Sequence, residues 1–580
     1  MKQHTGFRSA GDRPAARYDV VILGGGLAGL CLGRQLKRTR PETSVLVAEK
    51  RQGPAPDAAF KVGESTVEIS AHYFAEIVGM RDHLENEQLK KSGLRYFFPA
   101  DGNADIARRY EWGPNAFAPA PAYQLDRGRF ENALWKANLD EGVDVYDGSF
   151  IDGVDLGGDE HKVTIVRGGP GGERTEVTAR WVVDATGRAS LLKRKLGLFK
   201  DAAHTINSSW LRLGGGIDID DWSDDADWHA RMKGAGIRVA STNHLLGEGY
   251  WVWLIPLVSG PISIGICADP RFHPWESMNT LEAALDWFDE HEPQLGAVIR
   301  ERRDQIDDFL KIEDFAFNCE RVYSPQRWAL TGEAGAFADP LYSPGSDFIG
   351  VGNTFITDLV TRDLDGEDVN ERLEFFNSHF LQLFGAYLAV YTDQYPSFGN
   401  QQVMAFKLLW DFSVYWSINA LRFVNGKLTD MQFTQRVMPH LVMFFQITGR
   451  MQEMFKQWHK IQAAELRPGF VATNNIPPVH QRHGALDEPV GDDDKLLAMF
   501  ADNVEFLRGL AVLIFNQAVK SLPDQTIDEN QKINPLGISL DPDRWEADGL
   551  FDESGLTVAQ ARELAPDVEE NWIDQAVAAR

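Results

Sequence analysis

Residues 18–23, YDVVIL, form a short apolar run that breaks onto the glycines GGGLAG. Apolar positions then recur at helical spacing through LCLGRQLKRTR, and SVLVAEK follows as a second apolar run. The pattern predicts strand, tight turn, helix and strand, a βαβ unit of about 30 residues. Residues 67–90 read as helical, and HKVTIV and TEVTARWVVDATG read as strands split by the turn GGPGGE. Residues 205–325 mix strands and helices, and RWALTGEAGAF reads as a strand entering a loop. The uncharged stretch 249–268 is long enough to suggest a membrane span. Pro256, Gly260 and Pro261 interrupt it, however, so it predicts two strands, GYWVWLIPL and SIGICA, joined by a turn. From residue 366 onward the segments LEFFNSHFLQLFGAYLAVYTDQY, FKLLWDFSVYWSINALRFV and LVMFFQITGRMQEMFKQWHKIQAAE are aromatic-rich and predict packed helices. The expected fold class is α/β, a Rossmann-type nucleotide-binding unit with a mixed-sheet domain and a helical C-terminal extension.

Composition narrows the function. Of the 580 residues, 43% are hydrophobic and 25% charged, which fits a globular protein and excludes a disordered chain, coiled coil or collagen-like repeat. Against 58 basic residues stand 85 acidic ones, a net charge of −27, which argues against nucleic acid and anionic lipid as partners. Cys31, Cys267 and Cys319 are scattered without CxxC spacing, so neither a disulfide framework nor a metal site is expected, and a reducing cytoplasm fits. The N-terminus has no apolar segment of a signal peptide. Residues 1–16 are expected to be a flexible leader, 17–365 the nucleotide-binding core, 366–540 a helical subdomain and 541–580 an exposed acidic tail. No membrane span is expected.

Gly24-Gly25-Gly26-Leu27-Ala28-Gly29 fits GxGxxG. Gly24 permits the sharp turn, Gly26 lets the backbone approach a pyrophosphate, Ala28 lies between, and Gly29 allows close helix–strand packing, with the helix N-terminus favouring the anion. Glu49 ends the second strand at the place where a carboxylate binds ribose hydroxyls. The acid alone does not separate FAD from NAD.

Later segments do. DRGRF (126–130), VVDATGR (182–188) and TGEAGAF (331–337) resemble, in order, elements of the flavoprotein monooxygenases. The resemblance assigns Arg127 to FAD, although Arg127 and Arg129 also read as surface residues at a helix start. It assigns Glu333 to the ribityl region, where an aspartate is usual. Trp251-Val252-Trp253-Leu254-Ile255-Pro256 matches WxWxIP, and Phe337-Ala338-Asp339-Pro340-Leu341-Tyr342-Ser343-Pro344-Gly345 matches FxxPxxSxG. On these two motifs the chain resembles the flavin-dependent halogenases over residues 17–360. That family uses FADH2, O2 and halide to form hypohalous acid, which passes through a tunnel to a lysine beside the organic substrate.

The resemblance implies roles for further residues. Lys91, in KKSGLRYFF, matches the lysine best, with Lys90 facing solvent; a plain surface lysine is the alternative. Lys61, Glu64 and Ser65, in FKVGEST, fall on the flavin side. Trp251, Trp253 and Pro256 belong to the partition between flavin and substrate. Ser343, Gly345 and Ser346 are the halide residues, and because Pro344 lacks an N–H, a preference for bromide or iodide is expected. Halogenases of free tryptophan carry an acid where this chain has Tyr342, which points to a phenol, pyrrole or carrier-tethered substrate instead. A separate NAD(P)H-dependent flavin reductase is expected, since no second nucleotide motif is present.

Trp410, Tyr415, Trp416, Phe444 and Phe445 are candidates for stacking on a small aromatic substrate and equally for core packing. Arg188, Lys193, Arg194 and Lys195 form a candidate basic patch for a carrier. The oligomeric state is left open. A flavin hydroxylase, epoxidase or reductase on the same fold is the first alternative, and an inactive FAD-binding partner protein the second.

Overall fold

The strand Arg17–Leu23 lies at the centre of a parallel sheet, pairing with Glu173–Asp184 on one side and Val45–Ala48 on the other. A computed structural model describes residues 15–568 except Phe60 and Pro170; the expected leader up to residue 14 and the tail beyond 568 lie outside the described residues. Trp328–Leu330 and Asp144–Tyr146 extend the parallel set outward on the two sides. Because the strands flanking Arg17–Leu23 are reached in opposite directions, a crevice opens at its C-terminal end, and the glycine loop runs along it. The two strands expected on either side of the glycine-rich turn are present as His161–Arg167 and Glu173–Asp184, and they pair antiparallel.

A second, eight-stranded sheet carries the partition strand. Tyr250–Pro256 sits in its interior between Ser241–Gly247 and Ile262–Ala268, antiparallel to both. Burial on both faces explains why this stretch is uncharged. No described helix is long and apolar enough to cross a membrane.

The aromatic segments form the helices Asn370–Tyr391, Gln401–Val414 and Met431–Ile461, joined by Asp493–Val519. They do not stand apart as a subdomain. Gly469–Ala472 adds a parallel edge strand to the second sheet beside Tyr110–Gly113, and one buried apolar cluster runs from Tyr18 to Val568. The expected exposed tail is corrected for its described part. Val558, Ala561 and Ala565 fall on one face of Val558–Leu564 and its end, and they are buried against Asp493–Val519. Gly509 permits the approach, since a Cβ there would stand 2.8 Å from the Ala561 carbonyl oxygen.

Candidate active site

The crevice is a cleft of about 840 Å3. Gly24, Gly26, Ala28, Glu49, Lys61, Glu64, Ser65, Arg127 and Glu333 line it, as do Trp251, Trp253, Ser343, Gly345 and Ser346. Gly29 and Pro256 do not; Gly29 lies under the loop and Pro256 ends its strand.

The glycine loop has the shape of a phosphate cradle. Gly24 has φ +106°, and a Cβ there would stand 2.5 Å from the Ala185 carbonyl oxygen. A Cβ on Gly29 would fall 2.0 Å from the Gly24 carbonyl oxygen, so both positions require glycine. A Cβ on Gly26 would meet nothing nearer than Lys61 Nζ at 4.0 Å and would project into the cleft. Gly26 caps the helix Leu27–Thr39 without a side-chain hydrogen bond, which leaves first-turn N–H groups for an anion. Glu49 accepts hydrogen bonds from the N–H groups of Gly25 at 2.7 Å and Arg51 at 2.8 Å.

Glu131, which the motifs did not single out, organises the cations of the cleft. Its fully buried carboxylate accepts from Lys61 Nζ at 2.5 Å and Arg127 Nη2 at 2.7 Å. Burial alone would raise its pKa, but Arg127 and Lys61 together hold it below the usual carboxylate range. Burial lowers the Lys61 pKa. Arg127 Nη1 also donates to the Val62 carbonyl, while its Nε is buried without a partner. Arg129 points elsewhere and pairs with Asp57. Arg212, likewise missed, donates to Glu64 at 2.9 Å and to the Lys61 carbonyl, pinning the loop through 61–65. Burial pushes the Glu64 pKa up despite that arginine. The uncapped helix turn, the open face of Gly26 and the orphaned Arg127 Nε together fit a dinucleotide such as FAD.

Trp251 and Trp253 form an indole wall with ring centroids 5.7 Å apart, extended by Trp210. Trp251 Nε1 donates to Tyr395 Oη, which donates to Asp339, and His204 Nε2 lies 2.9 Å from the same carboxylate. His244 stands 5.6 Å from Trp251. Its Nδ1 donates to the Arg95 carbonyl, and burial pulls its pKa down to about 3, so it is neutral. Ser343 adopts φ +58° at the start of the helix Pro344–Leu364 and makes no side-chain cap, so the N–H groups of Gly345 and Ser346 are uncapped beside the cleft.

Lys91 is 3% exposed, which rules out the surface-lysine alternative, and it lies outside the cleft. Its Nζ donates to Ser65 Oγ at 2.8 Å and to the Thr66 carbonyl at 2.7 Å. Ser65 Oγ in turn bonds Thr242 Oγ1 at 2.9 Å, and both hydroxyl residues line the cleft. Burial lowers the Lys91 pKa to about 7, opposed by Glu68 and then Asp347. Lys90 is exposed over the Phe117 ring.

Behind this wall lie two smaller cavities. One is lined by Lys91, Glu68, Trp112, Trp416 and His483 among others, and the second by Tyr342, Tyr415, Phe444 and Phe445 among others. Val67, Glu68, Leu94 and Phe412 line both, and Pro344 is shared by the second cavity and the cleft. Four of the stacking candidates therefore border a cavity, whereas Trp410 is fully buried and lines none of these cavities. Tyr342 donates to Asp411 at 3.0 Å. The expected basic patch is corrected too. Lys193 is fully buried, donating to the Gly335 carbonyl beneath the Phe317 ring, and Arg188 turns to the cleft beside Glu333, leaving Arg194 and Lys195 exposed.

The family model for the FAD binding domain matches residues 17–257. Over 433 residues the chain is 28% identical to the flavin-dependent halogenase chlA of Dictyostelium discoideum, covering 69% of this chain and 70% of that protein. It is 27% identical to the tetracycline 7-halogenase of Kitasatospora aureofaciens, of whose length the match spans 61%, and of this chain 58%. In fold it resembles the crystal structure of halogenase PltM in complex with phloroglucinol and FAD, with TM-score 0.60 and 16% identity over 87% of this chain and 97% of that one.

Proposed function

We propose that the chain is a flavin-dependent halogenase and that it halogenates an aromatic substrate by way of hypohalous acid handed to Lys91. The observation that carries this reading is the position of Lys91. It lies one hydrogen bond behind Ser65, which lines the cleft, and it faces a cavity walled by Trp112, Phe412 and Trp416.

FAD, when bound in its reduced form, supplies the electrons that with O2 turn halide into an electrophile. The residues of this chain do the rest. The first turn of Leu27–Thr39 and the Arg127 Nε hold the dinucleotide, with Glu49 at its ribose end and Lys61 and Glu333 along its length. Halide rests on the N–H groups of Gly345 and Ser346, with Ser343 beside them. Trp251 and Trp253 keep the substrate from the flavin and water from the path. Hypohalous acid passes Ser65 and Thr242. Lys91 receives it by donating a hydrogen bond as the ammonium, or by taking the halogen on nitrogen as the amine, and a pKa near 7 makes both forms available.

Electrons reach the flavin from a separate NAD(P)H-dependent reductase. The substrate is a phenol, pyrrole or indole, free or carrier-tethered, and Tyr342 in place of an acid argues against free tryptophan. The test is product mass with reduced FAD, air and bromide. A brominated product from the wild type, absent in Lys91→Ala while flavin oxidation continues, supports the reading. An oxygenated product indifferent to bromide overturns it.

A further inference from the structure

Glu68 and His483 come from opposite ends of the chain and meet at the cavity that holds Lys91. Glu68 begins the short helix Glu68–His72, and His483 lies near the end of Pro477–Gly484. Glu68 Oε1 stands 2.7 Å from His483 Nε2, and both residues line the cavity. The imidazole is fixed by a parallel stack on the Trp416 indole, with centroids 4.2 Å apart and planes 5° from parallel. Beside the pair, Phe412 lies 5.1 Å from Trp112 and 5.2 Å from Trp416, giving the same cavity an aromatic wall.

We propose that Glu68 and His483 together are the proton acceptor for the hydroxyl of a phenolic substrate bound beside Lys91. This rests on the halogenase reading above and narrows its substrate. Burying a carboxylate beside an imidazole carries a desolvation cost, and the cavity gives a substrate group direct access to this pair. The chemistry of the acceptor selects the class. A phenol O–H, with pKa near 10 as in tyrosine, keeps its proton against such a pair at rest, but it turns strongly acidic as the ring takes halogen, and the pair can take the proton in that step; the N–H of indole or pyrrole is a far weaker acid to begin with. The carboxylate is ionised and so is able to accept: burial works to raise the Glu68 pKa, but His483, the Glu68 backbone N–H and Lys91 together hold the carboxyl below its usual range. Lys91 faces the carboxylate from the strand Leu89–Lys91, and Asp347, Tyr387 and Tyr415 face it from three other elements.

The steps balance. A ring carbon bonds to halogen as the halogen–oxygen bond of hypohalous acid breaks, and in the same step the phenol O–H bond breaks and its proton goes to the pair, leaving a neutral halodienone. The hydroxide released takes the displaced ring proton to form water, and the pair returns its proton to the halophenolate. In sum, phenol and hypohalous acid give halophenol and water.

The test compares ring-substituted phenols of graded acidity, each with its methyl ether, for wild type, Glu68→Gln and His483→Gln, with product mass and separate kcat and KM as readouts. For a phenol un-ionised at the assay pH, Glu68→Gln is expected to lose roughly 100-fold in kcat with little change in KM, and His483→Gln less in the same direction. For phenols already ionised at that pH, both variants are expected to approach wild type. Methyl ethers are expected to be poor substrates of the wild type, a comparison that needs no variant to fold. Equal loss across the acidity series, or methyl ethers turned over as fast as their phenols, overturns the proposal. A wild type that halogenates indoles or pyrroles but no phenol overturns it as well. No halogenated product from any arene overturns instead the halogenase reading beneath it.

Discussion

Lys91 and Ser65 are joined Nζ to Oγ at 2.8 Å across a wall, with the serine lining the cleft and the lysine lining the cavity behind it. The hydrogen bonds have a direction. Lys91 donates to Ser65, whose hydroxyl is then free to donate to Thr242, whose hydroxyl donates on to Gln124. On the relay proposed above, a small polar oxidant crossing here would meet the hydroxyls of Ser65 and Thr242.

The first prediction concerns the Lys91 proton. Burial lowers its pKa in the folded protein to about 7, whereas in the unfolded chain it keeps its ordinary value of 10.5. Between these values the unfolded state binds a proton that the folded state does not, so stability contributed by this group rises with pH across the window. Below pH 7 the charged amine is buried and its cost is felt in full. In urea titrations at pH 7 and pH 9, wild type should gain stability relative to Lys91→Met as pH rises. A difference between the two proteins that does not change with pH would contradict the lysine's buried, lowered state.

The second prediction separates two glycines of one loop. Gly29→Ala drives a Cβ to within 2.0 Å of a backbone oxygen, so the loop must shift, and a loss of roughly 1–3 kcal/mol is expected in thermal or denaturant unfolding. Gly26 has φ −81°, which alanine adopts freely, and its added methyl meets no atom closer than 4.0 Å. Gly26→Ala should therefore unfold like wild type and yet bind FAD at least about tenfold more weakly, about 1.4 kcal/mol, because the methyl occupies the cradle. Flavin titration by fluorescence checks it; undiminished affinity would move the pyrophosphate away from this loop.

The third prediction concerns the unpartnered Arg127 Nε. A hydrogen bond to a charged group contributes about 1.5–3 kcal/mol, so Arg127→Met should weaken FAD binding roughly 10- to 100-fold. Glu131→Gln acts differently. It leaves the largely buried Arg127 and the partly exposed Lys61 without their shared carboxylate, so a loss of about 1–3 kcal/mol of stability is expected even without flavin. Arg127→Met binding FAD as tightly as wild type would remove the arginine from the site.

What was legible in the sequence was local. The glycine loop announced itself because a sharp turn, a close backbone approach and tight helix packing each demand glycine at fixed spacing. Trp251, Trp253 and Lys91 were singled out only through the resemblance to the flavin-dependent halogenases. The rest depended on contacts that leave no mark on neighbouring positions. Arg212 reaches Glu64 across 148 positions, and His483 reaches Glu68 across 415. Glu131 had a usable signal, four residues after Arg127 on one helix face, but a carboxylate in a cluster of basic residues reads first as an exposed ion pair. The helix Val558–Leu564 was hidden by the acids around it, which masked a short apolar face of valine and alanine.

The last prediction turns on Pro344. Its fixed φ suits the first position of a helix, where the missing N–H has no partner within the helix to lose. An anion at this helix start, however, does lose that donor, while Ser343 makes no side-chain cap that would occupy the N–H groups that follow. The N–H groups of Gly345 and Ser346 remain. Two donors replace less of an ion's hydration than three, and chloride, the more strongly hydrated ion, suffers more than bromide from the shortfall. In an equimolar mixture of the two halides the wild type should therefore give mainly brominated product. Pro344→Ala keeps the helical φ while restoring the third donor, and it should shift the product ratio toward chloride by several-fold. A wild type that favours chloride, or a ratio unmoved by the alanine, would mean that halide is held elsewhere than at this helix start.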